Sequence, residues 1–191
     1  WADGLQGNAN MFANMASQSC EIIEAEYPLE VLAYELVPDK AGVGQYRGGA
    51  PYRREYRFGE HEGILQVRSD RHTIRPYGLY GGRAGQGSEN RLDAGAGTET
   101  LPSKFIHDIK RGDVFSTELA GGGGWGDPLV RDPAAVLRDV RNELVSPDSA
   151  REDYGVVLDV DQWLVDEAET KTLRASLAEA RSVASEVVAW D

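Results

Sequence analysis

Residues 121–128 read GGGGWGDP, and any fold of this chain has to accommodate them. Glycine loses more backbone freedom on folding than any other residue, so an ordered run of four glycines is costly. The run therefore predicts a place where bare backbone is required. That place is a close approach to a ligand, to a partner chain, or to another part of the same chain.

The neighbours of the glycine run suggest a nucleotide site in outline only. GDVFSTEL (112–119) is typical of a β-strand, and Asp132-Pro133 is typical of a helix start. A strand, a glycine loop and a helix in this order resemble a phosphate cradle. However, the run lacks the Gly-Lys-Ser/Thr ending, and Pro128 and the late helix start break the geometry that would aim helix amides at a phosphate. We therefore favour a tight chain crossing or a contact with a partner over a nucleotide site.

The chain on the amino-terminal side of the run is predicted to be rich in β-strands. Aromatic and β-branched residues, in places alternating with charged ones, indicate strands in four stretches, and glycines make 79–97 mostly loop. The four predicted strands are 29–37, PYRREYRF (51–58), GILQVRS (63–69) and GDVFSTEL. Residues 1–20 have little periodicity and are predicted to be irregular.

The last third is predicted to be mostly helical. A helix begins at Pro133, presents Val136, Leu137, Val140 and Leu144 on one face, and stops at Ser146-Pro147. YGVVLDV (154–160) indicates a strand. Asp166 with Glu169 resembles a capping box, so a second helix should run to about Val188 with the apolar stripe Ala168, Leu173, Leu177, Ala180 and Ala184. The predicted fold is α+β in a single region, with 1–20 irregular, 21–126 β-rich with glycine-rich loops, and 127–191 mostly helical.

The composition excludes several classes of partner. The chain has 191 residues and a formal net charge of −12, so it repels nucleic acid and anionic membranes overall. It has one cysteine, which rules out an internal disulfide, and no apolar run near 20 residues, so we expect a soluble, cytoplasmic chain. Because it begins with Trp1, we also expect that it is trimmed or belongs to something longer.

A basic stretch lies within this acidic chain. Residues 45–83 contain eight arginines and four acidic residues, whereas residues 127–191 contain 15 acidic and seven basic residues. One interpretation is solvated strand faces with salt bridges to the acidic last third. The other is a site for an anion or an acidic partner, because arginine pairs well with carboxylate and phosphate.

The residues that commonly carry catalysis or bind metals form no complete set. The three histidines, His61, His72 and His107, lie in no metal-binding pattern, and a metal site needs about three protein ligands. Asp70 and His72 could share a strand face, but no third ligand is evident, so a surface or structural role for His72 is favoured. Cys20 has no base near it in sequence and is predicted to pack as a small residue. We predict no complete metal site from this chain alone.

Four blocks of sequence, taken in order, resemble the hydantoinase B/oxoprolinase family. They cover nearly the whole chain, and Asn14 upstream of the first block belongs to the same pattern. The departures are small: Asp39-Lys40 stands where the family usually has Asp-Ser, and Tyr77 where it usually has Trp. The blocks are EIIEAEYPLEVLAYELVPDKAGVGQYRGG (21–49), SDRHTIRPYGLYGGRAGQ (69–86), LPSKFIHDIKRGDVFSTELAGGGGWGDP (101–128) and RDPAAVLRDVRNELVSPDSAREDYGVVLD (131–159).

The resemblance implies a shared reaction rather than a complete enzyme. The family includes N-methylhydantoinase B, the matching half of 5-oxoprolinase, and acetone and acetophenone carboxylase subunits. In it, a hydantoinase A-like subunit binds ATP and magnesium and phosphorylates a carbonyl or amide oxygen, and the B subunit handles the intermediate, often with a divalent metal. Family B chains are much longer, and their metal motifs lie in the amino-terminal portion that this chain lacks.

The resemblance therefore implies a carboxyl-terminal part or split subunit of a hetero-oligomer, inactive alone. The favoured reaction is ATP-dependent hydrolysis of a cyclic amide, and the alternatives are a ketone carboxylase subunit and a non-catalytic assembly subunit. No catalytic residue is assigned. The candidates for substrate or phosphate binding are Arg71, His72 and Arg68. The loop shared with the family consists of Gly121, Gly122, Gly123, Gly124, Trp125, Gly126 and Asp127.

Overall fold

The computed structural model describes residues 2–7, 16–60, 62–95 and 97–188, with side chains up to residue 181. The described part is α+β, as predicted, with strands in the first two-thirds and most helices after residue 127. The helices are α1 (Cys20–Glu26), α2 (Pro133–Arg141), α3 (Pro147–Glu152) and α4 (Glu167–Val188), with a 3₁₀ turn at Pro128–Val130. The strands are β1 (Leu29–Leu36), β2 (Tyr52–Phe58), β3 (Glu62–Arg68), β4 (Glu89–Asp93), β5 (Thr98–Leu101), β6 (Lys104–Lys110), β7 (Val114–Glu118), β8 (Leu158–Asp159) and β9 (Leu164–Val165).

A five-stranded antiparallel sheet and a two-stranded ribbon enclose the first core. The sheet has the order β1-β2-β7-β4-β5, and the ribbon pairs β3 with β6. Alternate residues of β3 and β6 point inward, as the two-residue period of a strand requires. Leu92 and Phe115 of the sheet thus share one core with Ile109 of the ribbon, and Leu65 and Phe105 pack against it.

The helices of the last third enclose a second core. Val136 and Val140 of α2 are buried with Ala150 of α3 and with Tyr154 and Val156, which follow α3. Leu137 is half-buried, so the predicted apolar face of α2 is confirmed for Val136, Leu137 and Val140; Leu144 is buried too, but it lies beyond the end of the helix at Arg141. Asp132 caps this helix by accepting a hydrogen bond from the Ala134 amide at 2.9 Å.

The glycine run Gly121–Gly124 follows β7 in the chain and touches three other segments. A Cβ added to Gly121 or Gly124 would meet segment 40–43, one added to Gly122 would meet 48–49, and one added to Gly123 would meet Tyr77. The contacts thus return to the same neighbour after three residues, whereas a strand alternates every two. A three-residue repeat is that of a polyproline II helix. Because the backbones of residues 4–5, 40–49, 77–86 and 121–126 lie in close contact, we call these four segments the glycine bundle.

Backbone hydrogen bonds hold the bundle together. A polyproline II helix has no internal hydrogen bonds, so its backbone groups must find partners in neighbouring segments. The Gly121 amide donates to Gln86 O at 3.0 Å, that of Gly122 to Gly49 O at 2.9 Å, and that of Gly124 to Arg83 O at 2.9 Å. The backbones lie so close that a Cβ at Gly121, Gly123 or Gly124 would meet a carbonyl oxygen far inside the 3.0 Å that real Cβ atoms keep. The bare backbone that the sequence predicted is thus required by chain crossing.

A buried ionic network joins the bundle to α2. Arg47 of the bundle donates to both carboxylate oxygens of Asp139 at 3.2 Å, and Arg131 donates to Asp139 at 2.7 Å and to Asp3 at 2.6 and 2.8 Å. Both arginines are 3% exposed. Burial opposes the charged form of Arg131, but the hydrogen bond to Asp3 and the charges of Asp139 and Asp3 raise its pKa overall, so it stays cationic.

Several sequence-based boundaries were wrong in the first two-thirds. The stretch predicted as loop at 79–97 contains β4, because Asn90 and Leu92 alternate inward between charged residues. The strands β5 and β6 and the helix α1 were not predicted. Helix α1 is a seven-residue helix without a buried residue, so its apolar pattern is weak.

The last third also departs from the prediction in places. Helix α2 ends at Arg141, before the predicted stop at Ser146-Pro147, and Ser146 instead caps α3 by accepting from the Ser149 amide at 3.1 Å. Of the strand predicted at 154–160, only Leu158–Asp159 pairs, because Tyr154 and Val156 are buried in the helical core instead. In α4, Leu173 and Leu177 are half-buried as predicted, but Ala168 and Ala180 are exposed; the Ala184 side chain lies outside the described residues.

Replacing Gly123 by alanine is expected to destabilise the fold severely. The new Cβ would strike the Tyr77 carbonyl oxygen, which is backbone and cannot rotate away. We expect a loss of about 3 kcal/mol or more in the free energy of unfolding, measured by urea titration, the upper end of overpacking costs. The matched control is Gly63→Ala, where the new Cβ meets only the flexible end of Ile109. Equal stabilities of the two variants would contradict the close-packed bundle.

Removing the charge of Asp139 is expected to leave two buried arginines without their shared partner. Asp139→Asn keeps the shape of the side chain, and we expect it to cost about 3 kcal/mol, as for a broken buried ion pair. The control is Glu35→Gln, which breaks the exposed pair with Arg53 at 2.8 Å and should cost no more than about 1 kcal/mol. A melting temperature of Asp139→Asn equal to that of the control would show that the network adds nothing to stability.

Candidate functional site

The segment 69–83 leads into the glycine bundle, to which its residues 77–83 belong. It is fixed in place without regular secondary structure. The Ser69 amide donates to Ser103 O at 2.8 Å, and the Arg71 carbonyl accepts from the Ser88 amide at 3.0 Å. Further along, Leu79 donates to Gly124 O at 3.0 Å. These bonds hold the segment at intervals along its length, so its side chains are presented from a defined backbone.

Trp125 ties the end of this segment to the bundle. Its backbone bridges Tyr46 on one side and Leu79 on the other. Its ring lies 5.6 Å from that of Tyr46 and 5.5 Å from that of Tyr80, distances typical of aromatic pairs. Trp125 is half-buried, so it fills the space beside the glycines and also supports Tyr80.

Four apolar side chains of the segment point into solvent. Ile74 is 75% exposed, Tyr77 73%, Leu79 51% and Tyr80 78%. We call these four residues the aromatic face. Several large apolar side chains exposed within one short segment of a folded protein suggest a site of interaction.

A polar cluster supports the start of the segment. Asn90 is fully buried; its amide donates to Ser69 Oγ at 3.0 Å and to Pro102 O at 3.1 Å, and its oxygen accepts from Thr117 Oγ1 at 2.9 Å. His72 Nε2 lies 2.9 Å from Ser69 Oγ. The cluster satisfies its buried polar groups and fixes the direction in which the chain leaves β3.

Asn90 was not among the residues predicted to be functional, because 79–97 was predicted to be mostly loop. The signal that could have found it is the alternation in ENRLD, where Asn90 takes the same face as the buried Leu92. A polar residue at an inward position of a strand indicates a hydrogen-bonded cluster.

The three binding candidates are not drawn into one site. Arg68 ends β3 and is exposed, and Arg71 is exposed with a positive φ of 66°. Among the residues that the structure describes, neither arginine has a salt-bridge partner. His72 instead contacts Ser69, a structural position, and the binding role of all three stays a prediction.

Some arginines of the basic stretch form internal salt bridges, and others have no acidic partner in the described structure, so each of the two interpretations fits part of the stretch. Arg47 pairs with Asp139 and Arg83 with Asp153, both acids of the last third. Arg53 and Arg57 pair with acids of the neighbouring strand β1. Within the described ranges, Arg54, Arg68, Arg71 and Arg75 have no acidic partner. Arg54 instead donates to the Tyr34 hydroxyl at 3.0 Å, so the other three are the ones best placed for an external anion.

The remaining residues of the loop shared with the family act locally. Asp127 accepts a hydrogen bond from the Leu129 amide at 2.9 Å and so caps the 3₁₀ turn. It also pairs with Arg181 of α4 at 3.0 Å. Gly126 has a positive φ of 76°, a conformation that favours glycine. The loop thus turns the chain from the bundle towards the helices.

Neither a metal centre nor a membrane-crossing helix emerges from the described part of the chain. Within it, no three His, Cys, Asp or Glu residues are grouped so that they could hold a metal ion; His61 lies outside it. The described helices include none with the length and apolar character needed to cross a membrane.

Comparison with known proteins places this geometry in a family. The family model for hydantoinase B/oxoprolinase matches residues 1–128. An uncharacterised protein of Methanocaldococcus jannaschii is 37% identical over 156 residues, which cover 81% of this chain and 28% of that protein. The caprolactamase subunit beta of Pseudomonas jessenii is 34% identical over 186 residues, covering 86% of this chain and 29% of the subunit.

Solved structures share the fold. The crystal structure of ATP-dependent caprolactamase from Pseudomonas jessenii matches with a TM-score of 0.69 and 32% identity, over 83% of this chain and 28% of that chain. The nucleotide-free structure of acetone carboxylase matches with a TM-score of 0.81 and 24% identity, over 95% of this chain and 29% of that chain. This chain thus spans less than a third of the length of the relatives it matches, and it belongs to the hydantoinase B/oxoprolinase family.

Proposed function

We propose that this chain is one part of an ATP-dependent amidohydrolase that opens a cyclic amide. The observation that carries the proposal is the likeness to caprolactamase, which exceeds 30% identity both with the subunit beta sequence and with the crystal structure. Caprolactam is a cyclic amide, so the named substrate of that relative belongs to the proposed class. A hydantoin or a lactam is the substrate class that we assign to this chain.

The chemistry explains why such an enzyme consumes ATP. An amide is a poor electrophile because its nitrogen donates electrons into the carbonyl group. Transfer of the terminal phosphoryl group of ATP to the amide oxygen releases ADP and makes the carbon electrophilic. Water then adds to that carbon, the C–N bond breaks as the ring nitrogen takes a proton, and hydrolysis of the resulting acyl phosphate by a second water releases phosphate and the ring-opened carboxylate. In the proposed assembly, a hydantoinase A-like subunit binds ATP and magnesium and performs this transfer, and the B-type subunit directs water to the activated carbon.

We propose that this chain contributes the framework of the shared site and not a complete set of catalytic groups. The glycine bundle fixes segment 69–83, which carries the unpaired Arg71 at its surface. The described residues do not fit a divalent metal, since they provide no group of three ligands. We therefore assign the metal expected for the family to the portion of the B-type subunit outside this chain.

Two alternatives make different predictions. The acetone carboxylase alpha subunit of Xanthobacter autotrophicus is 28% identical over 84% of this chain, which favours a ketone carboxylase as the second candidate. In that case turnover needs bicarbonate. A purely assembling subunit would leave the rate per site unchanged when it is removed.

The assembly that contains this chain should hydrolyse ATP when a cyclic amide is added. We expect phosphate release to rise about tenfold or more with a hydantoin, 5-oxoproline or caprolactam, without bicarbonate, and the ring-opened product to appear by mass spectrometry. Acetone and acetophenone, each with and without bicarbonate, serve as controls. Turnover that requires a ketone and bicarbonate would replace the proposal by the carboxylase, and full activity without this chain would assign it an assembling role.

Arg71→Lys is expected to separate phosphate binding from fold stability. If Arg71 holds the phosphate of the intermediate, the substitution should lower turnover about ten- to a hundredfold, the scale of losing roughly 1.4–3 kcal/mol of charge-assisted bonding, with the melting temperature nearly unchanged. The matched control is Arg138→Lys, at an exposed position of α2. Turnover equal to that of the control in a normally folded assembly would remove Arg71 from the site.

A further inference from the structure

We propose that the aromatic face, Ile74, Tyr77, Leu79 and Tyr80, is the surface onto which the rest of a hydantoinase B-type subunit docks. The inference deepens the proposed function, on which it rests, because it names the polypeptide that completes the shared site. It starts from exposure: three of the four side chains are more than 70% exposed within seven residues of sequence. Such surface is costly in water unless it is covered.

The face is built in advance of binding. Tyr80 has a positive φ of 52° and rests on the Trp125 ring, and Gly82 donates to Leu79 O at 2.9 Å across the turn. Tyr77 precedes Gly78, whose backbone lies against that of Gly82 and Arg83. Little backbone freedom remains to be lost when a partner binds, so the burial of apolar area is opposed by a smaller entropy cost.

The chemistry of the face is that of an interface between proteins. The centres of such interfaces are enriched in tyrosine and arginine and contain few lysines and acids. Here Tyr77 and Tyr80 are flanked by Arg71 and Arg75, which have no acidic partner among the described residues. The occupant should therefore present apolar pockets with carboxylates beside them.

The remainder of the subunit is the occupant that fits best. The chain matches only 28–29% of the length of its relatives, so more than two-thirds of each relative has no counterpart in it. That remainder must pack against the part that this chain represents. A second copy of this chain is disfavoured as the occupant. Each copy has a formal charge of −12, and a symmetric contact through the aromatic face would bring Arg71 and Arg75 of one copy close to the same arginines of the other.

Photocrosslinking in the natural assembly tests the occupant. The protein is expressed in its natural assembly, with benzoylphenylalanine in place of Tyr77 or Tyr80. After irradiation, the crosslinked peptides are identified by mass spectrometry. The control position is 138, where the polar Arg138 is exposed on α2. We expect crosslinks from 77 and 80, but not from 138, to hydantoinase B-type sequence outside residues 1–191.

Hydroxyl-radical oxidation of the same assembly gives a second readout without any substitution. In the described structure, Tyr77 and Tyr80 are more exposed than Tyr27, which is 48% exposed, so an open face would make them more reactive. If the face is covered, the order inverts and Tyr27 is oxidised faster.

The outcomes separate this inference from the proposed function. Crosslinks to an ATP-binding subunit, to a second copy of residues 1–191, or to nothing would overturn the docking surface, as would faster oxidation of Tyr77 and Tyr80 than of Tyr27. Neither measurement uses turnover. An assembly that shows the crosslinks and the protection but opens no cyclic amide would contradict the proposed function alone.

Discussion

The fold depends on the close approach of bare backbone in the glycine bundle. Segments from four separate parts of the chain meet there, and carbonyl oxygens occupy the places where Cβ atoms would otherwise lie. Neither the sheet core nor the helical core includes a residue of Gly121–Gly124, which follow the sheet and precede the helices along the chain. The ordering cost of four consecutive glycines is offset by hydrogen bonds to neighbours that no larger residue could approach.

Charge then fixes the bundle to the helices. Arg47 and Arg131 share Asp139, and Arg131 also holds Asp3, so three distant parts of the sequence are joined at one buried point. An ion pair out of water adds little net stability, but it is costly to break, and it therefore selects a single arrangement of the parts. For Asp3, burial alone would raise the pKa, but the hydrogen bonds and charges of Arg131 and Arg47 lower its pKa overall. The carboxylate therefore stays ionised as the network requires.

Local signals made the class of the fold and the caps predictable, but not the contacts between segments. Asp132-Pro133 and Asp166 started helices because capping involves only neighbouring residues. The strand β4 was missed because the glycines around ENRLD dominate a local window, and its burial depends on pairing with β7. The glycine run was predictable as a place needing bare backbone. Chain crossing was one of the interpretations left open, but the segments that cross could not be identified, because Tyr77, Val43 and Gly49 are distant in sequence. The buried pairing of Arg47 was one of two open interpretations, whereas the cluster around Asn90 was missed entirely.

The same constraint limits what the candidate site can contain. A glycine whose Cβ would have no room contributes backbone only, so Gly121–Gly124 themselves offer neither acids, bases nor metal ligands. Side chains must come from the segments around these glycines, and segment 69–83 carries such side chains: its backbone is bonded to the other segments of the bundle, while Arg71, Tyr77 and Tyr80 face outward. A rigid platform of this kind can position groups but cannot supply a full catalytic set. Reactive groups must then be brought to it by another polypeptide segment, and the exposed aromatic side chains provide the apolar area that such a segment needs in order to bind.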